Sequence, residues 1–238
     1  MSVSIVIPIY NPQPTADELN SLKQCVRVLG THPIYFIYPE GLDLSIYKRE
    51  APQAQFEVFE QKYFEGIMGY NELMLTPSFY EHFSQYTYML IYQLDAWVFE
   101  DKLLEWCQKG FDYVGAPDFG HKTDHISWYN GMLGGLLLNG GFSLRKVKKC
   151  IALTKIYQSF FKKGYGGFED SFFSAHYSRF ILLRPFIKLP DYSTALQFAF
   201  EKSPSEEFKL NNQNLPFGCH AYIKFEPEFW KQKGITLA

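Results

Sequence analysis

Cysteine is scarce in this 238-residue sequence, and its four cysteines form no Cys-x-x-Cys pair and no zinc-ligand spacing. We therefore expect reduced thiols in a cytosolic protein. The sequence also lacks an excess of basic residues: its formal net charge is −2, so no nucleic-acid partner is expected. No stretch approaches the roughly 20 apolar residues that span a bilayer. The first residues have no basic region followed by a long apolar segment, so no signal peptide is expected.

A basic cluster in the second half of the chain has two interpretations. It runs from Arg145 to Lys149 (Arg-Lys-Val-Lys-Lys) and is joined by Lys162 and Lys163. It could contact an anionic membrane surface, or it could be the solvated face of a helix. Any membrane contact would be peripheral, so the expected location is the cytoplasm, with peripheral contact at the inner face of the membrane left open.

The sequence is rich in aromatic residues, which make up 18% of it, and it alternates between strand and helix patterns. Strands are predicted over 3–9, 33–38, 55–59, 86–91 and 112–116, with a strand-like segment over 219–225. Helices are predicted over 14–29, 66–83 (broken at Pro77), 101–109, 146–163 and 192–201. A mobile loop over 121–131 and a glycine-rich turn over 164–167 complete the pattern. The order predicts one α/β domain over 1–238 with a mostly parallel sheet.

One strand ends on a single carboxylate. In Ile91 to Phe99 (Ile-Tyr-Gln-Leu-Asp-Ala-Trp-Val-Phe), an apolar strand stops at Asp95. A carboxylate there costs free energy unless it is solvated, paired or bound to a cation. Because open α/β sheets bind ligands at the carboxyl ends of their strands, Asp95 marks an expected ligand site. Alternatively, Asp95 is a capping residue for the helix that opens near Glu100 and Asp101.

Two further strand ends carry residues that are candidates for binding a ligand. The first strand ends at Pro8, and Tyr10 and Asn11 follow in an irregular turn whose free backbone groups could read the edge of a base. Glu40 and Asp43 follow the second strand and could accept hydrogen bonds from a ribose or a base. Such turns are also common without a ligand, and both carboxylates could equally be solvated loop residues.

Two short motifs later in the chain each have a functional and a structural interpretation. In Asn139-Gly140-Gly141, the glycines would let the backbone approach a ligand closely, and the asparagine supplies a donor and an acceptor. A tight hairpin would use the same residues. One of Glu169 and Asp170 could deprotonate an attacking hydroxyl. Both could instead cap the helix that they open.

A late histidine is a candidate metal ligand. His220 follows Gly218, which loosens the backbone just before it. A neutral imidazole there could complete an octahedral manganese site begun by Asp95 and phosphate oxygens. An isolated histidine can also be a hydrogen-bonded structural residue. His121 and His125, in the predicted loop, are less suitable.

Taken together, these segments resemble a GT-A type glycosyltransferase, and the sequence is similar to the DUF5672 group of glycosyltransferase-like proteins. The resemblance covers most of the chain after about residue 60. The motifs that carry it are Tyr-Asn-Glu-Leu-Met at 70–74, Tyr-Gln-Leu-Asp-Ala-Trp-Val at 92–98, Asp-Tyr-Val-Gly-Ala-Pro at 112–117, Asn-Gly-Gly-Phe-Ser-Leu-Arg at 139–145, Glu-Asp at 169–170 and Pro-Phe-Gly-Cys-His at 216–220.

The resemblance implies a metal and a set of binding residues. In GT-A enzymes an Asp-x-Asp motif ends a central strand and binds the metal that bridges the donor diphosphate. Here Gln93 stands at the first position and only Asp95 remains, so Asp95 and His220 are the expected ligands of Mn²⁺ or Mg²⁺. Asn71 and Gln93 are expected to contact the donor.

The function implied is metal-dependent, inverting transfer of a sugar from a nucleotide diphosphate to a hydroxyl. A UDP-sugar is the expected donor and a glycan or lipid-linked glycan the acceptor, in surface polysaccharide synthesis. Asp170 is the expected base and Glu169 the alternative, with donor binding in about 1–117 and acceptor binding in about 118–238. Gln93 favours a different function, a non-catalytic nucleotide-sugar or carbohydrate-binding protein. A nucleotidyltransferase would need a glycine-rich basic loop after the first strand, where the sequence has Asn-Pro-Gln-Pro.

Overall fold

The computed structural model describes residues 1–118, 136–163, 167–176 and 184–237. The loop predicted over 121–131, with His121 and His125, lies outside the described residues, and so do residues 164–166 of the predicted glycine-rich turn.

The strands form mostly where apolar and β-branched residues run together. In chain order they are β1 Val3–Pro8, β2 Ile34–Pro39, β3 Gln55–Phe59, β4 Tyr88–Tyr92, β5 Trp97–Val98, β6 Tyr113–Pro117, β7 Leu138–Lys146, β8 Ala199–Phe200 and β9 Gly218–Cys219. Six of them form a sheet of order β3-β2-β1-β4-β7-β6. The first four in this order are parallel, and β7 is antiparallel to both β4 and β6. The predicted α/β fold with a mostly parallel central sheet is therefore confirmed.

Helices cover the sheet. They are α1 Ala16–Leu29, α2 Ser45–Glu50, α3 Gly66–Met74, α4 Pro77–His82, α5 Leu103–Gln108, α6 Val147–Ile156, α7 Tyr192–Phe198, α8 Pro204–Leu210 and α9 Pro227–Gln232. α1 begins with a capping box, in which the Thr15 hydroxyl accepts the Glu18 N–H at 3.2 Å and the Glu18 carboxylate accepts the Thr15 N–H at 2.7 Å. Such reciprocal bonds satisfy backbone donors that a helix start leaves free.

Apolar residues cover both faces of the sheet. Along β1, Ile5 and Ile7 belong to the core cluster on one face, and Val6 belongs to the cluster on the other. A strand buried on both faces appears in the sequence as a continuous apolar run, which explains why β1 and β4 could be predicted without ambiguity.

A second, three-stranded sheet of order β5-β9-β8 lies beside the end of β4. Trp97 of β5 pairs with Cys219 of β9, and Phe200 of β8 pairs with Cys219 on its other side. Glu201 and His220 directly follow β8 and β9, and Asp95 lies in the turn between β4 and β5. This small sheet therefore gathers three segments that are far apart in the sequence.

The structure corrects several predicted elements. The helix predicted over 192–201 ends at Phe198 and continues as β8, and the strand-like segment over 219–225 is reduced to β9. The helix predicted over 146–163 is α6 followed by a π-helical turn over Tyr157–Phe161. The sequence pattern did not indicate α2, which is only six residues long. Among the described residues, no helix has both the length and the apolar character needed to cross a bilayer.

Candidate active site

A cavity of about 430 Å³ opens where the parallel strands β1 and β4 end. Pro8, Tyr10, Asn11 and Gln93, four of the predicted donor-binding residues, line it together with Asp95. The volume lies within the range of small-molecule sites. The carboxyl ends of neighbouring parallel strands are also where open α/β sheets bind their ligands.

Four of the nine other described residues that line the wall of the cavity are aromatic. Its aromatic residues, besides Tyr10, are Tyr47, Tyr63, Phe64 and Tyr70. No lysine or arginine is among the described residues that line it. Aromatic rings suit stacking against a flat ring, but this wall offers no side-chain cation to a diphosphate.

Hydrogen bonds fix the turn after β1. The Tyr47 hydroxyl donates to the backbone oxygen of Asn11 at 2.7 Å, and the Asn11 side-chain oxygen accepts the Gln13 N–H at 3.0 Å. Both the backbone oxygen and the side-chain oxygen of Asn11 therefore accept a hydrogen bond from the protein itself. Tyr10 is 66% exposed, so its ring is available beside the cavity.

Three polar side chains converge at the end of β4. Nε2 of His220 lies 3.2 Å from Oδ1 of Asp95 and 3.1 Å from Oε1 of Gln93. His220 is buried, whereas the Asp95 side chain is 41% exposed. Residue 221, directly after His220, is an alanine with a φ of +52°, a backbone conformation that is rare for residues other than glycine. Such strain concentrates at functional sites.

The charges around His220 and Asp95 shift the pKa values of these two side chains. Burial acts to lower the pKa of His220, but the charges of Asp95 and Glu201 and the hydrogen bonds to them outweigh burial and raise this pKa to about 10. Burial acts to raise the pKa of Asp95, but the positive His220 and Lys224 bring it below its usual value. Both shifts favour the charged forms of His220 and Asp95.

These three side chains fit a divalent metal. Adjacent ligands of a six-coordinate Mg²⁺ ion, each roughly 2.1 Å from it, lie about 3 Å apart, close to the separations that His220 shows from Asp95 and Gln93. Their donor atoms are a carboxylate oxygen, an amide oxygen and an imidazole nitrogen, a set that suits Mn²⁺. In the part of the chain that the structure describes, no group of three or more His, Cys, Asp or Glu residues is arranged around one metal position. The amide oxygen of Gln93 is therefore the third ligand in this set, beside Asp95 and His220.

The Asn-Gly-Gly motif lies within β7 and is not the tip of a hairpin. A Cβ at Gly140 would overlap the carboxylate of Glu169, and a Cβ at Gly141 would overlap the imidazole of His220. The Asn139 side-chain oxygen accepts the Gly141 N–H at 2.7 Å, and its amide donates to Glu201 at 2.9 Å. The two glycines therefore make room for the side chains of the site itself.

Glu169 belongs to a buried ion pair beneath the site. Its Oε1 accepts from Nη2 of Arg145 at 2.9 Å, and Arg145 is fully buried. The guanidinium also donates to Ser143, to Tyr80 and to the Gly140 carbonyl, at 2.9, 2.9 and 3.0 Å. The prediction that Arg145 belongs to an exposed basic cluster is therefore wrong. A charge on a central strand needs these partners, because burial without them is costly.

We expect Arg145→Met to lower the free energy of unfolding by about 3–5 kcal/mol, because it leaves the buried Glu169 carboxylate without its partner. Urea denaturation measures this loss. Lys146→Met is the matched control: the side chain of the neighbouring lysine is 39% exposed, and its partner Asp112, 3.4 Å away, keeps Lys149 and the Lys188 N–H, so the loss should cost within about 1 kcal/mol. Equal stability of the two variants would contradict the ion pair's structural role.

Asp170 is in a different environment from Glu169. It is half-buried, and its Oδ1 accepts the Ser171 N–H at 2.6 Å. Burial raises the pKa of Asp170 above its usual value, although the bonds to Ser171 and the charge of Arg145 oppose the shift. The charge of Glu201 contributes to this rise in the pKa of Asp170. Of the two predicted bases, only Glu169 forms an ion pair with another described residue.

Five predicted donor-binding residues are not among the described residues that line the cavity: Glu40, Asn71, Asn139, Gly140 and Gly141. Glu40 is exposed in the turn after β2 and is not among the described residues that line the cavity. Asn71 is buried on α3, where its side-chain oxygen accepts the Glu169 N–H. Asn71 therefore supports the Glu-Asp segment and does not face the cavity.

Sequence reasoning missed two residues beside the site. Glu201 contacts His220, and the exposed Lys224 lies near enough to lower the pKa of Asp95. Neither belongs to a motif, and both lie in irregular segments after short strands. Only the pairing of β8 with β9 brings Glu201 to His220.

Comparisons with solved structures give the fold. The galactosyltransferase LgtC, in complex with donor and acceptor sugar analogs, is 11% identical with a TM-score of 0.55, over 99% of this chain and 97% of LgtC. The apo glycosyltransferase GlyE of Streptococcus pneumoniae is 11% identical with a TM-score of 0.56, over 100% of this chain and 61% of GlyE. Core-mannan synthase A of Aspergillus fumigatus, in its Mn/GDP form, is 11% identical with a TM-score of 0.51, over 82% and 72% of the two chains. The protein therefore has the GT-A glycosyltransferase fold.

Comparison of sequences identifies the family. No curated protein matches the chain. A family model described as a protein of unknown function, DUF5672, matches residues 53–220. This match spans more than half of the sequence and includes β4, β7 and the segments that carry Asp95, Asp170 and His220. The chain therefore belongs to the DUF5672 family.

Proposed function

We propose that this protein is a metal-dependent, inverting glycosyltransferase that moves a sugar from a nucleotide diphosphate to a hydroxyl acceptor. The observation that carries the proposal lies at the edge of the cavity, where Nε2 of His220 is 3.2 Å from Oδ1 of Asp95 and 3.1 Å from Oε1 of Gln93. Fold alone does not settle function, so the proposal rests on this site.

The cavity chemistry supports a nucleotide diphosphate. Aromatic side chains line its wall, and the described lining has no lysine or arginine to neutralise phosphates. Asp95, Gln93 and His220 would hold Mg²⁺ or Mn²⁺, which would supply the positive charge that a diphosphate leaving group needs. Lys224 adds one positive charge near Asp95. Core-mannan synthase A was solved with Mn and GDP, which supports this kind of partner.

The proposed donor is a UDP-sugar and the proposed acceptor a glycan or lipid-linked glycan, in surface polysaccharide synthesis. Residues of about 1–117 would bind the donor, and residues of about 118–238 the acceptor. Asp170 would take the proton of the attacking hydroxyl, because a raised pKa brings a carboxylate closer to the optimum for a general base at neutral pH. The proposed location is the cytoplasm; with Arg145 buried, the exposed Lys148, Lys162 and Lys163 remain for contact with a membrane surface.

Calorimetry with a panel of nucleotide diphosphates, each with and without Mn²⁺, tests the proposal. We expect one nucleotide to bind, and to bind only weakly when the metal is removed with a chelator. If none of the nucleotides binds in the presence of Mn²⁺, the proposed function is wrong.

A second candidate function is non-catalytic binding of a nucleotide sugar or a carbohydrate. Two observations favour it: Gln93 replaces a carboxylate at the metal site, and Glu169 is held in an ion pair with Arg145. The two functions differ in turnover. A binding protein would retain the nucleotide sugar, whereas a transferase incubated with donor and acceptor releases free nucleotide diphosphate.

A further inference from the structure

The carboxylate of Glu201 lies on the far side of the His220 ring from the candidate metal position. Its Oε1 is 3.2 Å from Nδ1 of His220, while Nε2 of the same ring faces Asp95 and Gln93. Glu201 is 6% exposed and His220 is 8% exposed, so water contributes little to this contact. In the neutral or the charged ring, Nδ1–H can donate to this oxygen.

Glu201 is itself held from three directions. Its Oε1 accepts the amide N–H of Asn139 at 2.9 Å, and its backbone N–H donates to the buried carboxylate of Glu207 at 2.9 Å. The third constraint on Glu201 is the pairing of β8 with β9. Phe200 pairs with Cys219, and the His220 N–H donates to the Phe200 carbonyl at 2.9 Å. Glu201 therefore has little freedom to leave the His220 ring.

We propose that Glu201 is a positioning residue that holds Nδ1–H of His220 and so presents Nε2 as the only ring nitrogen facing Asp95 and Gln93. A histidine ligand commonly donates its other ring N–H to a carboxylate, which fixes its orientation and strengthens its basicity. Asn139 takes part by holding the carboxylate in place. Its role is then to support the site, with no contact to the donor needed.

This inference rests on the proposed function for the identity of the metal, so it is tested by two measurements. The first is the affinity for Mn²⁺ in the presence of UDP, followed by the electron paramagnetic resonance signal of free Mn²⁺. We expect Glu201→Ala to lose about 10- to 100-fold in Mn²⁺ affinity, the range typical for residues that support metal ligands. Glu201→Gln keeps an oxygen that can accept Nδ1–H, so its loss should lie between those of the parent and Glu201→Ala.

The matched control is Glu206→Ala, which removes the same charge from an exposed position on the neighbouring α8. Its Mn²⁺ affinity should equal that of the parent. If Glu201→Ala and the parent bind Mn²⁺ equally, the positioning role is wrong while the metal site stands. The isosteric Glu201→Gln keeps this arm decisive if Glu201→Ala does not fold.

The second measurement needs no metal. With ¹⁵N-labelled histidine, the Nδ1 proton of His220 should give a strongly deshielded, slowly exchanging signal in the parent and in Glu206→Ala. This signal should be lost in Glu201→Ala. If the parent binds Mn²⁺ neither with UDP nor with any other nucleotide diphosphate of the panel, the proposed function fails, and the signal alone then decides whether Glu201 holds the ring. Its absence from the parent, or its persistence in Glu201→Ala, overturns the inference.

Discussion

We expect Asp95→Ala to abolish the metal-dependent binding of a nucleotide diphosphate while leaving the fold intact. Asp95 supplies the only carboxylate that both lines the end of β4 and contacts Nε2 of His220 among the described residues. Its side chain is 41% exposed, so its removal creates no cavity in the core. His220 keeps Glu201 and Gln93 as partners. Calorimetry with nucleotide and Mn²⁺ measures the loss.

Circular dichroism and the melting temperature of the Asp95→Ala protein should differ little from those of the parent. His220→Ala should weaken the same binding less, since phosphate oxygens and water can fill its coordination position. Glu100→Ala is the matched control, because this exposed carboxylate lies only five positions along the chain. If Asp95→Ala destabilises the fold, and the molecules that remain folded bind the nucleotide with the parental affinity, Asp95 is a structural cap.

Asp170→Asn should lower the rate of sugar transfer by about 10²–10⁴-fold with donor affinity nearly unchanged, because it removes the proposed general base. Asparagine keeps the side-chain oxygen that accepts the Ser171 N–H, so the start of the π-helical segment Ser171–His176 is preserved. Initial rates at saturating donor, together with calorimetric donor affinity, separate catalysis from binding.

Ser171→Ala is the control for Asp170→Asn. It removes a hydroxyl 3.4 Å from the Asp170 oxygen but leaves the backbone bond and the carboxylate in place. Its rate should stay within a few-fold of the parental rate. Transfer at the parental rate by Asp170→Asn would exclude Asp170, and would shift the prediction to Glu169 despite its ion pair with Arg145.

Where the sequence predicted an element well, burial left a strong local signal. β1 and β4 lie between other strands and are covered on both faces, so nearly every residue in them is apolar. The start of α1 also leaves a local signal in the sequence, because Thr15 and Glu18 form a capping box within four residues. Asp95 stood out for the same reason, as the first carboxylate after a buried strand.

Where a local pattern did not report a contact, the partner was distant in the sequence. The sequence indicated a tight hairpin or a ligand contact at the glycines 140 and 141; the structure places them within a strand, where they make room for Glu169 and His220, which lie 29 and 79 positions further along the chain. Arg145 stood in a run of basic residues that suggested an exposed cluster. Its partners Tyr80 and Glu169 are 65 and 24 positions away, and no local pattern reports them.

The sequence alone determined five strands of the large sheet, β1, β2, β3, β4 and β6, and the types of residue found at their ends, since these follow from local hydrophobicity and local hydrogen bonding. It did not indicate β5, β7 or β8. It also carried the ordered motifs of the DUF5672 family. Only the tertiary structure decided that Gln93 joins Asp95 and His220, that Glu201 backs the histidine ring, and that Glu169 is held by Arg145. These contacts depend on the pairing of β8 with β9 and of β7 with β4, and non-local pairing is set by the packing of the whole chain.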